Sequence, residues 1–173
     1  MTTGPSSLSI DPATPADVPL ILSLIHELAE YERLAHQVRA RPEQLQRHLF
    51  GPRPYAEAVV ARTGADPVGF ALWFHNYSTF EARPGLYLED LFVRPAQRGR
   101  GYGEALLRHL ARLAVERDCA RVEWAVLDWN EPAIRFYRRL GAAPMNDWTV
   151  QRVSGEALRA LAALPGTPGE SRR

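Results

Sequence analysis

The chain has 173 residues, of which 46% are hydrophobic and 24% are charged, values that are ordinary for a soluble globular protein. Its 21 basic residues are all arginine, and 20 acidic residues leave a net charge of +1, so the charge gives no reason to expect nucleic acid or an anionic membrane as a partner. The absence of lysine excludes a lysine Schiff base and a lysine general base. The length predicts one domain, over residues 8–164, between flexible tails at residues 1–7 and 165–173.

The single cysteine, Cys119, permits no disulfide within the chain, which fits a reducing compartment. We expect it to be a buried thiol at a helix end rather than a nucleophile. No run of about 18 apolar residues indicates a membrane span, and the N-terminus lacks the basic and apolar regions of a signal peptide. The sequence therefore predicts a cytoplasmic protein, and we predict no metal site.

The first part of the chain predicts a strand and two helices. A short strand is expected over Leu8–Ile10. Thr14 is expected to cap a helix that continues to about Leu34, because Pro15 suits the first helical position. A second, shorter helix follows over Arg41–Leu49.

The middle of the chain predicts three strands. Ala56–Arg62 and Val68–Phe74 are rich in β-forming residues and are joined by a turn that contains Gly64 and Pro67. A polar loop is expected over His75–Gly85, followed by a strand over Leu86–Val93.

The remainder alternates helices and strands. We predict a helix ending near Asp118, a strand over Arg121–Leu127, a helix over Glu131–Leu140 with Asn130 as its cap, a strand over Trp148–Val153, and a last helix from Ser154 to about Leu164. Two strands joined through a helix form a parallel pair. The predicted fold is therefore an α/β (α+β) fold, with a mixed, mostly antiparallel sheet, helices on both faces and a split between the two parallel strands.

A turn rich in glycine and arginine, Gln97–Gly103, joins the predicted strand Leu86–Val93 to the following helix. Glycine permits a positive φ and a close approach of the backbone to a ligand, and the first amides of a helix favour phosphate. Arg98 and Arg100 add positive charge. Such a turn is often a plain loop. It is not a Walker loop, because no lysine follows, and the preceding half of the chain is not a Rossmann unit.

Two spaced motifs resemble those of the GCN5-related N-acetyltransferases, the GNAT family. The segment from Leu91 to Gly103 resembles the family's acetyl-CoA motif, whose fixed positions here are Arg98, Gly101 and Gly103. Asn130–Gly141 resembles the family's second signature, a helix that carries asparagine and tyrosine and stops at glycine. The two motifs stand in the family's order and on the expected elements, and the resemblance covers residues 8–164.

Three further segments resemble the diamine (spermidine/spermine) acetyltransferase branch of that family, namely Leu24–Glu32, Tyr87–Asp90 and Trp129–Pro132. Within the branch, Tyr77–Phe80 and Ala125–Asn130 are similar to the thialysine type, whereas the polyamine enzymes tend to carry an acidic residue in the loop before the key strand. The region Pro144–Asp147 is shorter than in both types, so the acidic substrate contact that the family carries there has no assigned position in this chain.

The resemblance implies transfer of an acetyl group from acetyl-CoA to a primary amine. An alkylammonium ion has a pKa of about 10.4, so a base has to remove a proton before the nitrogen can attack. The resemblance makes Glu89 that base, acting directly or through water, and Tyr137 the acid that protonates the departing thiolate. From the residues alone, the better interpretation of Glu89 is a strand carboxylate that faces solvent, and that of Tyr137 is a core aromatic residue.

The same resemblance implies the binding residues. The pyrophosphate is expected on the amides of Arg98 to Glu104, the pantetheine arm along Leu91–Val93, and Asn130 beside that arm. The cofactor-binding set is Leu91, Phe92, Val93, Arg98, Gly99, Arg100, Gly101, Tyr102, Gly103, Glu104, Asn130, Pro132 and Ala133. The substrate-binding set is Tyr31, Glu32, Ser78, Thr79, Glu89 and Asp90. Asp90 is a candidate contact to a substrate cation, although a regular strand would point it away from Glu89 unless a bulge intervenes.

Several functions remain open at this point. The leading one is a small-amine N-acetyltransferase that favours a thialysine-like or lysine-like amino acid over a polyamine such as spermidine or spermine, because the hydroxyls of Ser78 and Thr79 suit an α-carboxylate. A protein N-terminal acetyltransferase and a non-catalytic acyl-CoA-binding module are the alternatives, and the presence of both Glu89 and Tyr137 argues against the module. The resemblance also implies a homodimer.

Overall fold

A computed structural model of the chain describes residues 7–164. The predicted tails therefore lie outside the described residues, apart from Ser7. By its internal contacts the chain divides into two compact units, residues 1–125 and 126–173. A single domain over residues 8–164 stays a prediction. In the described part of the chain, no helix is both long and apolar enough to cross a bilayer.

The first unit contains a five-stranded sheet. Its elements are β1 (Leu8–Pro12), α1 (Val18–Tyr31), α2 (Pro42–Phe50), β2 (Glu57–Thr63), β3 (Asp66–Ser78), β4 (Arg83–Val93), α3 (Tyr102–Glu116) and β5 (Val122–Trp124). The strands lie in the order β1-β2-β3-β4-β5, and all neighbours are antiparallel except β4 and β5, which are parallel. The predicted mixed sheet with one parallel pair is confirmed.

The core lies on both faces of this sheet. One cluster, on the face that α1 and α2 cover, consists of Ile21, Leu24, Leu49, Ala58, Val60, Phe70, Leu72 and Phe92. Successive side chains of a strand point to opposite faces. The buried residues Ala71, Trp73 and Leu88 therefore lie on the other face, where α3 contacts β3 and β4.

Helix α1 begins as predicted but ends earlier. The Thr14 amide and hydroxyl both donate to the Asp17 carboxylate, at 2.8 Å each, and a single 3-10 turn at Pro15–Asp17 leads into the helix. The predicted end at Leu34 is wrong, because α1 ends at Tyr31 and Arg33 adopts a φ of 62°, which no helix accommodates.

The β3–β4 hairpin is longer than its sequence indicates. The predicted loop over His75–Gly85 is wrong, because β3 continues to Ser78 and β4 starts at Arg83. Cross-strand contacts extend the pairing through these polar residues, and the Phe74 and Tyr87 rings lie 5.1 Å apart. Strand β5, by contrast, is shorter than predicted, because it has three residues rather than the seven of Arg121–Leu127.

The second unit contains α4 (Glu131–Arg139) and α5 (Gly155–Ala162), both close to their predicted positions. The predicted strand Trp148–Val153 is wrong, because residues 126–164 contain no strand. Trp148 and Val150 are 73% and 81% exposed there. A β-propensity pattern alone does not form a strand when no neighbouring backbone pairs with it.

Candidate active site

The two parallel strands separate at the middle of β4. Strand β5 pairs with β4 only opposite Leu86, Tyr87 and Leu88, whereas β4 continues to Val93. The stretch from Leu91 to Val93 pairs with β3 on its other side but has no β5 residue beside it. A strand edge without a neighbour presents N–H and C=O groups that a peptide-like ligand can pair with.

The glycine turn follows directly after this open edge. Gly99 and Gly101 have φ values of +78° and +82°, as the sequence predicts for glycines at a turn of this kind, and Gly101 is the N-cap of α3. A methyl group added at either glycine would meet no atom within 4 Å, so the left-handed backbone, rather than crowding, requires glycine. The amides of the first turn of α3 lack intrahelical acceptors, which leaves them able to bind an anion.

Arg98 extends from this turn to the end of α1. Its Nε–H donates to the Val93 carbonyl at 3.0 Å, and its Cζ lies 4.2 Å from the centroid of the Tyr31 ring. Arg100 is exposed, whereas Phe92 is buried in the core cluster. The side chain of Phe92 is therefore not accessible to a ligand. The contact between Arg98 and Tyr31 gave no signal in the sequence, because the two residues are far apart along the chain.

A β-bulge lies where the strands separate. Leu72 pairs with Asp90 and Trp73 pairs with Leu88, so Glu89 is an extra residue on β4. Asp90 thus lies on the sheet face of its partner Leu72, which belongs to the cluster under α1. The regular alternation that would separate Glu89 from Asp90 is broken at this point.

The charges of two carboxylates act on Asp90 at the bulge. Burial, together with the negative charges of Glu89 and Glu32, raises the pKa of the Asp90 carboxyl to about 7. Burial also raises the pKa of Glu32, which follows the last residue of α1. Glu89 itself is exposed. A group of this kind can bind an ammonium ion and can accept a proton near neutral pH.

The hydroxyls predicted to bind substrate lie at the β3–β4 turn. Ser78 is buried, and its Oγ accepts a hydrogen bond from the Glu81 amide at 3.2 Å, which closes the turn. Thr79 is exposed, and Phe80 is 96% exposed. The structure thus gives Ser78 a role in the hairpin turn that the sequence did not reveal, and contact of Ser78 or Thr79 with a substrate stays a prediction.

In the second unit, Asn130 caps α4 as predicted. Its Oδ1 accepts a hydrogen bond from the Ala133 amide at 3.4 Å, and the side chain is buried. Pro132 occupies the first turn of the same helix. Tyr137 is half-buried in α4, and the centroid of its ring lies 5.3 Å from that of Phe136.

The backbone of the first unit fits acetyl-CoA. An open strand edge at Leu91–Val93, two left-handed glycines with free space around them and a helix N-terminus follow one another along the chain. The peptide-like arm of acetyl-CoA can pair with an open strand edge. Its pyrophosphate can accept hydrogen bonds from the amides of a glycine turn and a helix N-terminus. Among residues 7–164, no group of three or more histidine, cysteine, aspartate or glutamate residues could hold a metal ion.

The comparisons with known proteins agree on one family. Residues 21–142 match the model of the acetyltransferase (GNAT) family. The chain is 38% identical over 168 residues to the thialysine N-epsilon-acetyltransferase of Sus scrofa, covering 91% of this chain and 98% of the relative. It is 34% identical to an L-ornithine N5-acetyltransferase of Arabidopsis thaliana, covering 88% of this chain and 86% of the relative.

A solved structure gives the same result for the fold. An integron cassette protein from the mobile metagenome of V. cholerae superposes with a TM-score of 0.77 at 26% identity, covering 92% of this chain and 99% of the other. Members of the matching family take their acetyl group from acetyl-CoA and transfer it to an amine. This chain therefore belongs to the GNAT family and is an acetyl-CoA-dependent N-acetyltransferase of small-molecule amines.

Proposed function

We propose that the chain acetylates the side-chain amine of a small amino acid that resembles thialysine or lysine. The observation that carries the proposal is the group of three carboxylates, Glu32, Glu89 and Asp90, beside the open edge of β4. They supply the negative charge that an ammonium ion needs. The named activities of the two relatives, on thialysine and on ornithine, support an acceptor with a side-chain amine and an α-carboxylate.

Glu89 is the proposed base. It is the extra residue of the bulge and is exposed, so its carboxylate can reach an acceptor ammonium or an intervening water. Removal of that proton leaves a neutral nitrogen with a lone pair for attack on the acetyl carbonyl. Asp90 and Glu32 hold the acceptor cation beside Glu89. Ser78 and Thr79 lie at the far end of the β3–β4 hairpin, roughly 20 Å along the strand from Asp90, which is too far for one small acceptor to bridge.

Tyr137 is the proposed acid. A phenol with a pKa of about 10 can hold its proton at neutral pH and give it to a sulfur anion as the thioester bond breaks. Asn130 fixes the start of the helix that carries Tyr137 through its hydrogen bond to Ala133. This helix also supplies Pro132 and Ala133 to the proposed cofactor contacts.

The remaining cofactor contacts lie in the first unit. The amides of Arg98 to Glu104 are proposed to bind the pyrophosphate, and the β4 edge at Leu91–Val93 to pair with the pantetheine arm. Acetyl-CoA supplies the acetyl group as a thioester. The glycine turn and the first turn of α3 orient it with backbone donors, which suits a phosphate better than mobile side chains do.

The acceptor can be tested with a panel of amines. We expect acetylation of thialysine, lysine or ornithine with a higher kcat/KM than that of spermidine or spermine, because the two relatives are named for acceptors that carry an α-carboxylate. A polyamine is the second candidate, since three carboxylates also suit an acceptor with several cations. Efficient turnover of spermidine together with no turnover of the three amino acids would make a polyamine the first candidate instead.

We further propose that the protein is a cytoplasmic homodimer. The buried thiol of Cys119 has no partner cysteine in the sequence, which suits a reducing compartment. In the second unit, Met145, Trp148 and Val150 are each more than 60% exposed, which favours association.

A further inference from the structure

We propose that the chain has a second binding site, for a small organic anion, in a cavity between β1 and α3. The cavity has a volume of about 440 Å³. Its lining residues are Leu8 and Ile10 from β1 and Ala105, Arg108, His109 and Arg112 from α3. None of them belongs to the cofactor-binding or the substrate-binding set, so the proposal goes beyond acetyl transfer and does not depend on it.

The cavity has two walls of different chemistry. On α3, the lining residues are spaced as i, i+3, i+4 and i+7, which places them on one face of the helix. This face carries two arginines and a histidine, and it lies beside the buried face that contains Leu106 and Leu110. On β1, Leu8 and Ile10 are two residues apart and therefore point to the same side of the strand. A ligand in the cavity thus meets cations on one side and apolar groups on the other.

The two arginines of the cavity are able to bind an anion. Both are exposed, and within residues 7–164 Arg112 forms no ion pair with a carboxylate. The carboxylate of Glu104 lies 3.8 Å from Arg108 in an exposed i,i+4 pair. Exposed pairs of this kind contribute little, so an anionic ligand can replace Glu104. A guanidinium presents paired N–H donors that match a carboxylate or a phosphate.

His109 gives the cavity a group that can titrate near neutral pH. It is half-buried, and burial together with the charge of Arg112 lowers the pKa of its imidazole, whereas the charge of Glu116 raises it. An anion beside Arg112 would offset that positive charge and raise the pKa of His109, so that binding takes up a proton. The lining residues of β1, Leu8 and Ile10, carry no charge that would oppose this change.

The two walls define the class of ligand. Its head group is an anion that accepts hydrogen bonds from Arg108 and Arg112, and its apolar body packs on Leu8 and Ile10. Cavities that bind small molecules commonly have volumes of about 300 to 1,000 Å³, so one small molecule fits here. Carboxylates and phosphate monoesters with an apolar body share this chemistry. An inorganic ion leaves the apolar wall unused, and a neutral apolar molecule leaves the arginines unused.

Calorimetric titration of the protein saturated with coenzyme A tests the site, because coenzyme A then fills the proposed cofactor site. The probes are benzoate, a carboxylate, and phenyl phosphate, a phosphate monoester. We expect at least one of them to bind with a Kd below about 1 mM, and the tighter of the two identifies the head group. Benzyl alcohol lacks the charge and inorganic phosphate lacks the ring, so each should bind at least about tenfold more weakly than the tighter probe.

Substitutions show where the probe binds. Arg112→Gln removes an exposed charge of the cavity and should weaken probe binding at least about fivefold. Arg53→Gln is the matched control, since Arg53 is exposed and lies outside the cavity, and it should change the Kd by less than about twofold. Thermal unfolding checks that each variant is folded, and Arg108→Gln provides a second test of the same wall.

The pH dependence of the affinity tests the place of His109. Between pH 8 and pH 6, the affinity of the wild type for the tighter probe should rise about two- to threefold more than that of His109→Gln, because only the wild type can take up a proton on His109. Ionisation of the probe itself affects both proteins equally. An equal response to pH would show that His109 does not face the anion, which contradicts the placement of the site.

Four further results would overturn the inference. The first is no binding of either probe, and the second is equal binding of the tighter probe and one of the two control molecules. The third is an equal loss of affinity in Arg112→Gln and Arg53→Gln, which would mean that the probe is attracted by net charge alone. The fourth is probe binding that disappears as coenzyme A is added, which would place the anion in the cofactor site.

Discussion

The carboxylates at the β4 bulge show how one extra residue changes the chemistry of a strand. Glu89 and Asp90 are neighbours in sequence, and a regular strand would send them to opposite faces. The bulge keeps Asp90 on the face under α1, where it interacts with Glu32 as well as Glu89. The result is an acidic group that is partly neutral at physiological pH and becomes charged when a cation arrives.

The stability of the protein should reveal this shifted pKa. The pKa of Asp90 is about 7 in the folded chain, against 3.8 for a free aspartate, so the folded state holds the proton more tightly and loses stability as the pH rises from about 4 to about 7. Asparagine cannot ionise. We expect Asp90→Asn to raise the free energy of unfolding by up to about 4 kcal/mol at pH 8, with a gain that disappears below about pH 4.

Urea unfolding at several pH values measures that gain. Glu81→Gln is the control, since Glu81 is an exposed carboxylate at the β3–β4 turn. A gain in Asp90→Asn that does not depend on pH would show that folding leaves the pKa of Asp90 unchanged, which contradicts the effect of burial.

Loss of the proposed base should act on turnover. We expect Glu89→Gln to lower kcat by about 10²- to 10⁴-fold at neutral pH, because general-base assistance is worth that much, while the KM for acetyl-CoA changes little. Tyr137→Phe should also lower kcat, and free coenzyme A should then appear more slowly by the same factor. A steady-state thiol-release assay measures both rates. Wild-type rates in both variants would show that Glu89 is not the base and that Tyr137 is not the acid.

At the level of elements, an ion pair fixes the end of β4 to α1. Arg94 donates to both oxygens of the Glu27 carboxylate, at 2.7 Å and 3.0 Å, and to the Pro67 carbonyl at 2.9 Å. The pair with Glu27 raises the pKa of Arg94. Because Arg94 stands between β4 and the glycine turn, this contact fixes the direction in which the chain enters the turn.

Breaking this pair should lower stability more than removing an exposed carboxylate. We expect Glu27→Gln to reduce the free energy of unfolding by about 1–2 kcal/mol, because Arg94 keeps its charge in a half-buried site without its partner. Glu30→Gln, on the exposed side of the same helix, is the control and should change it by less than about 0.5 kcal/mol.

Denaturant unfolding at low and high salt tests whether the lost stability comes from the ion pair between Glu27 and Arg94. The loss in Glu27→Gln should become smaller in about 1 M salt, because screening weakens the interaction in the wild type. Equal stabilities of the Glu27 and Glu30 variants would mean that the pair contributes nothing to the attachment of α1.

At the level of the whole molecule, the second unit exposes several large apolar side chains. Trp148 and Val150 are 73% and 81% exposed, and α5 exposes Leu158 and Leu161 at 52% and 56%. Large apolar side chains that lie exposed together commonly mark an interface between chains. This observation supports the proposed homodimer.

The mass in solution tests that proposal. We expect light scattering to give about twice the chain mass of 19.4 kDa at micromolar concentration, and Trp148→Glu to shift the mass toward the single chain, because a charge on the contact surface opposes its burial. Tyr55→Glu, at another exposed aromatic residue, should leave the mass unchanged. A wild-type protein that stays at 19.4 kDa would refute the homodimer.

Local patterns in the chain were enough to predict the structure of the part that is proposed to bind the cofactor. The strand before the glycine turn, the two left-handed glycines, helix α3 and the Asn130 cap of α4 all agree with expectation. Each depends on residues within a few positions of one another, through backbone geometry, helix periodicity or capping. The same reasoning failed at Trp148–Val153, because a strand needs a neighbour that local sequence does not specify.

Long-range contacts decided the geometry of the proposed amine site. Leu91–Val93 is apolar throughout, so no alternation in the sequence marked the bulge at Glu89, and only pairing with β3 revealed it. The influence of Glu32 on Asp90 and the stacking of Arg98 on Tyr31 likewise join residues more than 50 positions apart. Charge coupling and stacking depend on distance in space, and that distance is fixed only when α1 packs against the folded sheet.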